Sequence, residues 1–449
     1  MRTVLLSVTA LFASLALLVS GNALLGTMVT VQLNLSQVSA SVVGLVLACY
    51  SVGFVLGATW GTGIIRNVGH VRAFAVYAAG ACAATLLYPI FTDEIAWALL
   101  RLVTGYCLAG LMTVTESWIN DRATNESRGK LLGVYTVNFY LASACGQLFL
   151  SWVNPEHFVA FSLVAILVVL SLVPLSLTRG LIPNAPAPTA VLKTATLLRN
   201  APSGILGVVV SGLAISAFIG LAPVFALYLG LSITQLSGFM SFSVVCAITL
   251  QWPAGWLSDR IGRLPVLTGL LICAALSALF VVTLGSFSIT LVYFCSGLFF
   301  AFATSIYPVS VALTNDQLPS EQMVAACATM LRLYGIGSIV GPIFIGICIQ
   351  LLGPPSLFLM VAIIFIASAA AIQLLFKAGD KVAVAEQTHY VNVSPVSTPV
   401  LTEIDPRNEG FEQHHPGEPA EWDLADKMEM LIPGSPPDSN PSEGRDSHP

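Results

Sequence analysis

Hydrophobic residues run along the chain in long stretches with little polar interruption. Charged side chains are absent between Arg199 and Asp259, and again between Arg263 and Asp316. A run of about 20 apolar residues is long enough to cross the hydrocarbon core of a bilayer as an α-helix. The pattern therefore predicts an all-α integral membrane protein with twelve transmembrane helices. The predicted spans are 4–26, 40–61, 73–91, 95–119, 130–152, 158–177, 204–229, 236–257, 265–285, 288–312, 324–350 and 354–376.

The first of these segments allows a second interpretation. It starts with a basic residue, Arg2, and continues as an apolar run with small residues, as cleaved signal peptides do. Its apolar run is longer than a typical signal core, and its removal would leave one span fewer. We therefore expect a retained first helix.

The charged residues outside the spans predict the orientation. With the amino terminus inside, the outer loops hold no basic residue and only the acidic Asp93, Glu94 and Glu156. Basic loops stay on the cytoplasmic side of membrane proteins. We therefore expect both termini in the cytoplasm and a multi-pass membrane protein. The inner basic residues are Arg2, Arg66, Arg72, Arg122, Arg128, Lys130, Arg179, Lys193, Arg199, Arg260, Arg263, Lys377 and Lys381.

Composition agrees with a membrane protein. Of the 449 residues, 56% are hydrophobic and 9% are charged, and the mean hydropathy is +0.85. A soluble domain carries about 25% charged residues. The nine cysteines all fall in predicted spans without CxxC spacing, so we interpret them as small packing residues and not as disulfides or metal ligands.

The chain divides into four predicted regions. A Pro/Ala-rich cytoplasmic connection, residues 178–203, separates a six-helix half over 1–177 from a second half over 204–376. Residues 377–449 are rich in acidic residues, Pro and Ser. Such a segment buries too little apolar surface to offset the entropy of ordering, so we predict a disordered acidic cytoplasmic tail.

The two halves repeat each other at a few positions. Asn120-Asp121 recurs as Asn315-Asp316, and Gly146 recurs as Gly341 at the same offset. Duplicated six-helix halves are typical of secondary transporters, whose substrate site lies near the membrane midplane between the repeats. The repeat therefore favours two pseudo-symmetric halves.

The loop between spans 8 and 9 reads Gly255-x-x-x-Asp259-Arg260-x-Gly262-Arg263. Glycines permit a close helix end and a tight turn, while the Asp and the arginines provide an acceptor and donors. A loop that served topology alone would need the arginines but neither the Asp nor the glycine spacing. The sequence resembles the signature loop of the major facilitator superfamily, and this resemblance implies a conformational latch.

The corresponding loop of the first half departs from that pattern. It keeps Arg66 and Arg72, but Arg66 stands where Asp259 stands in the second half. This loop can donate to acids but cannot accept in the same way. We therefore expect an asymmetric latch.

Arg101 is the residue of span 4 that costs the most free energy to place within a bilayer, because it is charged. A charge at membrane depth normally faces a cavity or a partner. Together with Gly105 and Gly110 it resembles a span-4 motif that the superfamily links to proton coupling. It also lies near the outer end of the span, where it would be able to extend to the interface as an anchor. Both positions remain open, and we favour the cavity.

Glu116 lies about 22 Å further along the same helix, at its inner end, and is too distant to contact Arg101. We expect it to belong to the latch and to pair with Arg66 or Arg72; a buried proton carrier is the alternative. The segment ESWINDRATNESRG that begins at Glu116, with GNALLGT and RNVGHVRAF, resembles bacterial facilitators of the YcaD type. The resemblance covers the membrane body but not the tail, and it implies the cytoplasmic membrane of a bacterium.

Span 11 contains a second cation, Arg332, followed by the small residues Gly337, Gly341 and Gly346 with Pro342. Such a face suits close helix contact. Other polar residues within spans either line the cavity or bond a neighbouring helix. The cavity candidates are Arg101, Arg332, Asn22, Asn138, Gln147 and Tyr307.

The sequence has no phosphate-binding loop, no HExxH or GxSxG motif and no paired carboxylates at membrane depth. We therefore expect no enzyme, no cofactor, no metal and no nucleic acid, and we expect a monomer in the lipid bilayer. The favoured function is secondary transport of a small molecule by alternating access, coupled to protons. Two arginines without a deep acid favour an anionic or amphiphilic substrate. A passive uniporter and a non-transporting sensor that signals through the tail are the alternatives.

Overall fold

The computed structural model describes residues 2–123, 127–155, 157–177, 192–284, 288–319 and 322–375, together with residues 387, 390, 397, 398, 400 and 401. Helices account for nearly all of the first six ranges, and a short 3-10 turn covers Leu150–Trp152. The α-helices are α1 Arg2–Leu35, α2 Ala40–Val68, α3 His70–Leu87, α4 Glu94–Arg122, α5 Arg128–Phe149, α6 Phe158–Leu170, α7 Leu172–Leu177, α8 Thr194–Asn200, α9 Pro202–Tyr228, α10 Ile233–Ile261, α11 Arg263–Leu284, α12 Ile289–Asn315, α13 Met323–Leu352 and α14 Ser356–Leu375.

Twelve helical spans form the bundle over the described residues, since α6 and α7 together form one span and α8 is a short helix between the halves. Eleven of them are long and apolar enough to cross a membrane. The remaining one, α5, carries Asn138 and Gln147, which lower its hydropathy. Several helices continue past the predicted ends; α1 reaches Leu35, because a helix persists beyond its apolar stretch.

The two halves share one packing scheme. In the first half α2 packs along α4, α1 along α5 and α6, and α3 along α4 and α6. In the second half the equivalent helices make the same pairs: α10 with α12, α9 with α13 and α14, and α11 with α12 and α14. The fold is therefore an all-α membrane bundle of two pseudo-symmetric six-helix halves, as the sequence predicted.

The end of the bundle that holds Arg66, Arg72, Arg260 and Arg263 is called the basic end. Two glycines terminate helices there in the same way. Gly69 after α2 has φ 83° and Gly262 after α10 has φ 97°, a left-handed conformation that costs a glycine little. The tight turn predicted at Gly262 is thus confirmed, and Gly69 forms the equivalent turn in the first half.

The halves meet closely at the opposite end. A Cβ on Gly44 of α2 would lie 2.1 Å from the carbonyl oxygen of Pro342, and one on Gly346 of α13 would lie 2.5 Å from that of Ala40. The small face predicted for span 11 is therefore confirmed. Two hydrogen bonds also join the halves at this end: Thr30 Oγ1 to the Gly220 carbonyl, 2.9 Å, and Ser237 Oγ to the Gln147 carbonyl, 2.7 Å.

The predicted connection and tail are described only in part. Residues 178–191 and most of 377–449 lie outside the described residues. Leu192 docks on the start of α13, where its N–H donates to the Ala325 carbonyl at 3.3 Å. In the tail, Ser397, Thr398, Val400 and Leu401 are almost fully buried in the bundle; for these residues the structure differs from the predicted disorder.

Candidate functional site: a cavity between the two halves

A cavity of about 360 Å³ lies between the halves and extends to Arg66 at the basic end. Its walls are mostly apolar and aromatic. Three arginines, Arg66, Arg101 and Arg332, line it, whereas no Asp or Glu does so among the described residues. The cavity is thus apolar with a cationic character.

Arg101 is held deep in this cavity by close packing of α2 on α4. A Cβ on Gly53 would lie 2.0 Å from the Leu102 carbonyl oxygen, and one on Gly105 would lie 2.2 Å from that of Tyr50. Because both positions are glycine, the two backbones approach closely and bring Tyr50 beside Arg101. The Arg101 Cζ lies 4.6 Å from the centroid of the Tyr50 ring, a cation–π geometry.

Arg101 is 5% exposed, and it lines the cavity. Of the two positions that the sequence left open, the structure places it in the cavity. Its Nε and Nη1 atoms are buried and donate to no partner among the described residues. A buried charged group without hydrogen bonds is costly, so these two donors are suited to receive an anionic group.

Three more predicted candidates line the cavity, and they differ in whether their polar groups are already hydrogen-bonded. Arg332 is exposed towards it, and Asn22 also lines it. Gln147 lines it too, but its amide is already engaged: Thr27 Oγ1 donates to Oε1 at 2.7 Å, and Nε2 donates to the Ala23 carbonyl at 3.5 Å. Gln147 therefore also joins α5 to α1.

Asn138 and Tyr307 are not among the lining residues. Asn138 Nδ2 donates to the Phe12 carbonyl at 3.2 Å, so it bonds a neighbouring helix. Tyr307 is 1% exposed and packs edge-on against Tyr334, with ring centroids 5.2 Å apart. The structure does not bring these two to the cavity.

At the basic end, Arg263 is the centre of a buried network in the second half. Its Nε donates to Asp316 Oδ2 at 3.1 Å, and its Nη1 donates to Ser258 Oγ at 2.6 Å and to Asp259 Oδ1. The side chains of Arg263 and Asp316 are 0% and 2% exposed, whereas that of Asp259 is 32% exposed. This network joins α10, α11 and α12 of one half.

The other residues of the signature loop lie on the outside of that network. The Arg260 guanidinium stacks over the Trp256 ring at 4.0 Å. Gly255 faces the tail residue Tyr390, since a Cβ on Gly255 would lie 2.2 Å from the Tyr390 ring. The Tyr390 N–H donates to both Asp259 oxygens, at 3.1 and 3.3 Å.

Among the residues that the structure describes, neither Arg66 nor Arg72 forms an equivalent network in the first half. Arg66 lines the cavity and Arg72 is exposed. Glu116 is fully buried, and its partners differ from the expected arginines. Its Oε1 accepts from the Tyr135 hydroxyl at 2.5 Å, and its Oε2 accepts from the Thr398 N–H at 2.7 Å and the Thr398 hydroxyl at 2.5 Å.

Sequence reasoning missed Tyr50, Tyr390 and Thr398. The signal for Tyr50 was present, because it lies one turn before the glycine repeat that packs α2 on α4. Tyr390 and Thr398 carry no such signal. They stand in a tail whose overall composition predicts disorder, although residues 390–402 contain no charged side chain.

Comparisons with known proteins agree with this architecture. The family model described as Major Facilitator Superfamily matches residues 10–304 and 204–397. The MFS-type transporter YcaD of Escherichia coli O139:H28 (strain E24377A / ETEC) is 31% identical over 370 residues, 81% of this chain and 94% of that protein.

Two solved structures have a similar fold. A mutant form of the nucleoside transporter NupG has a TM-score of 0.70 at 12% identity, over 83% of this chain and 100% of that one. A bacterial homologue of the human lysosomal transporter Spinster, described as inward-facing and occupied, has a TM-score of 0.68 at 16% identity, over 83% and 98%. The family match over both halves and the YcaD relationship show that this chain belongs to the major facilitator superfamily of membrane transporters.

Proposed function

We propose that the protein is a secondary transporter that moves a small molecule by alternating access of the central cavity to the two sides of the membrane. One observation carries this proposal: the cavity lies between two repeated halves, closed at one end by α2 and α13 and extending to Arg66 at the other. Rocking of the halves about such a site would separate them at the end where α2 meets α13 and bring them together at the basic end.

The proposed orientation places the basic end in the cytoplasm of a bacterial cell. It rests on the distribution of arginines between the loops. A single cysteine introduced by Thr92→Cys, between α3 and α4, should react with a membrane-impermeant maleimide in intact cells. One introduced by Arg72→Cys should react only after permeabilisation. The reverse labelling would overturn the orientation.

The proposed substrate is an organic anion with an apolar part. Arg101 supplies two buried donors without partners, and Arg66 and Arg332 add positive charge with no lining carboxylate among the described residues. The apolar and aromatic walls favour a hydrophobic portion. An anion bound to Arg101 would replace the hydrogen bonds that burial has removed.

The proposed coupling ion is the proton. Moving one elementary charge across a membrane potential costs or yields about 2.3 kcal/mol per 100 mV. An anion imported against an inside-negative potential therefore needs cotransported positive charge. The resemblance of Arg101, Gly105 and Gly110 to the superfamily motif supports protons in that role. We further propose that the chain acts as a monomer, without a cofactor and without catalysing a reaction.

The decisive experiment is a comparison of metabolite and drug flux in cells with and without the protein, followed by the same comparison with Arg101→Ala. A flux that appears with the protein, is lost in the variant and collapses with a proton ionophore supports coupled transport. A flux insensitive to the ionophore indicates a uniporter. No flux of any compound, with a cellular response that depends on the tail, would identify a sensor instead.

A further inference from the structure

The described tail residues, 387, 390, 397, 398, 400 and 401, are called here the tail segment, and they contact both halves at the basic end. In the first half Thr398 donates two hydrogen bonds to Glu116 of α4. In the second half Tyr390 donates to Asp259 of α10 and covers Gly255 with its ring. The tail segment is thus a bridge between two bodies that must move against each other during alternating access.

The tail segment also enters the cavity. Val400 is one of the cavity-lining residues. Val400 and Leu401 are 1% and 2% exposed, and Thr398 is fully buried. The absence of charge over residues 390–402, within an otherwise acidic tail, explains why Val400 is able to line an apolar cavity at low cost.

Docking satisfies a carboxylate that the membrane body alone leaves under-coordinated. Glu116 is fully buried, and its carboxylate accepts two hydrogen bonds from Thr398 and one from Tyr135. A buried carboxylate that loses hydrogen-bond donors is strongly destabilised. The hydrogen bonds to the Glu116 carboxylate therefore stabilise the docked position of the tail segment.

We infer that the tail segment is an internal plug: it docks on Glu116 and Asp259, closes the basic end of the cavity and prevents the two halves from approaching there. Its consequence for transport rests on the proposed function. The docking itself does not, because it is measurable without a substrate. A plugged transporter keeps its substrate path closed at the basic end until the tail segment leaves.

The docking is tested first by a disulfide in the full-length chain. The partly exposed cysteines Cys49, Cys82, Cys145, Cys246 and Cys273 are replaced by Ala, and the buried ones are kept. With Gly255→Cys and Tyr390→Cys added, mild oxidation should link the two positions, because the ring atom Cγ of Tyr390 lies 2.8 Å from the Cβ position of residue 255.

The matched control pair is Gly269→Cys with Tyr390→Cys. Gly269 lies in the same half and has nothing within 4 Å of its Cβ position, so this pair should remain reduced. Equal oxidation of both pairs, or of neither, would overturn the docking.

The closure is tested by labelling a cavity residue in the same background. Ser216→Cys, which lines the cavity, is reacted with a maleimide in purified protein. Thr398→Glu places a like charge beside Glu116 and should raise the labelling rate at least tenfold by releasing the tail segment. Thr398→Ser keeps the hydroxyl donor and should leave the rate unchanged.

Gel filtration confirms that each variant is folded before labelling. Equal labelling rates for Thr398→Glu and Thr398→Ser in folded protein would overturn the closure, even if the disulfide forms. A failure of the flux comparison, in contrast, would remove the proposed transport function and leave the docking intact.

Discussion

Arg101 and Tyr50 form a cation–π pair within the cavity, with the guanidinium carbon 4.6 Å from the ring centroid. The pair exists because glycines on α2 and α4 let the two helices touch backbone to backbone. The aromatic ring stabilises the charge from one side, while Nε and Nη1 remain without hydrogen bonds among the described residues. This geometry supports the proposed binding of an anionic substrate.

Arg101→Ala should reduce flux of the proposed anionic substrate at least tenfold, because a hydrogen bond to a charged group contributes about 1.5–3 kcal/mol. Arg101→Lys should keep part of the activity, since it retains the charge but loses the planar donor geometry. The measurement is the initial rate in cells at equal expression. Arg199→Ala, an exposed arginine of α8, is the control. Full activity of Arg101→Ala would remove this residue from the mechanism.

Gly53→Ala should destabilise the bundle by about 1–3 kcal/mol, because the new Cβ would overlap the Leu102 carbonyl and separate α2 from α4. Gly63→Ala, in the same helix with nothing within 4 Å, should be neutral or stabilising by up to about 1 kcal/mol. Thermal unfolding of the purified protein in detergent compares the two. A Gly53→Ala protein as stable as Gly63→Ala would contradict the close packing.

Gly346→Ala should loosen the contact of α13 with α2 at the end opposite the basic one. Its Cβ would lie 2.5 Å from the Ala40 carbonyl, so the halves must separate there. With orientation as proposed, labelling of Ser51→Cys in the cavity by an impermeant maleimide on intact cells should rise several-fold. Gly133→Ala of α5, where the added Cβ meets nothing within 4 Å, should leave labelling unchanged. Equal labelling of the two would argue against closure by these helices.

Asp316→Asn should cost about 3–5 kcal/mol of folding stability, since it removes one partner from the fully buried Arg263. Asp259→Asn should cost less, because Asp259 is 32% exposed and solvent screens its pair with Arg263. Both variants are compared by thermal unfolding under one set of detergent and salt conditions. The opposite ranking would show that Asp259, and not Asp316, compensates the buried charge.

The membrane body could be predicted from sequence because the bilayer imposes a single strong rule. Long apolar runs must become helices, so the span count and the pseudo-symmetric halves followed from hydropathy and a few repeated residues. Span ends were less accurate, as α1 shows by continuing to Leu35, since helices do not stop where hydrophobicity stops.

The site was predicted only in part. The cost of polar groups in lipid predicted that Arg101, Arg332 and Asn22 line the cavity. The same argument applied equally to Asn138, which donates a hydrogen bond to the Phe12 carbonyl instead. Sequence does not reveal which face of a helix turns to the cavity when polar residues occur on several faces. The partners of Glu116 were beyond prediction, because they include a residue far along the chain in a segment of different composition.

The contact of Tyr390 with Asp259 lies a short distance along the chain from Leu375, where α14 ends. The tail segment is therefore a ligand tethered to its own receptor. A short tether sets a local concentration on the order of millimolar, whatever the amount of protein in the membrane. Occupancy of the site would not change with expression level, and a free competitor would need a concentration or an affinity high enough to match the tether. Control of such a transporter would act on the chemistry of the tail segment and not on protein abundance.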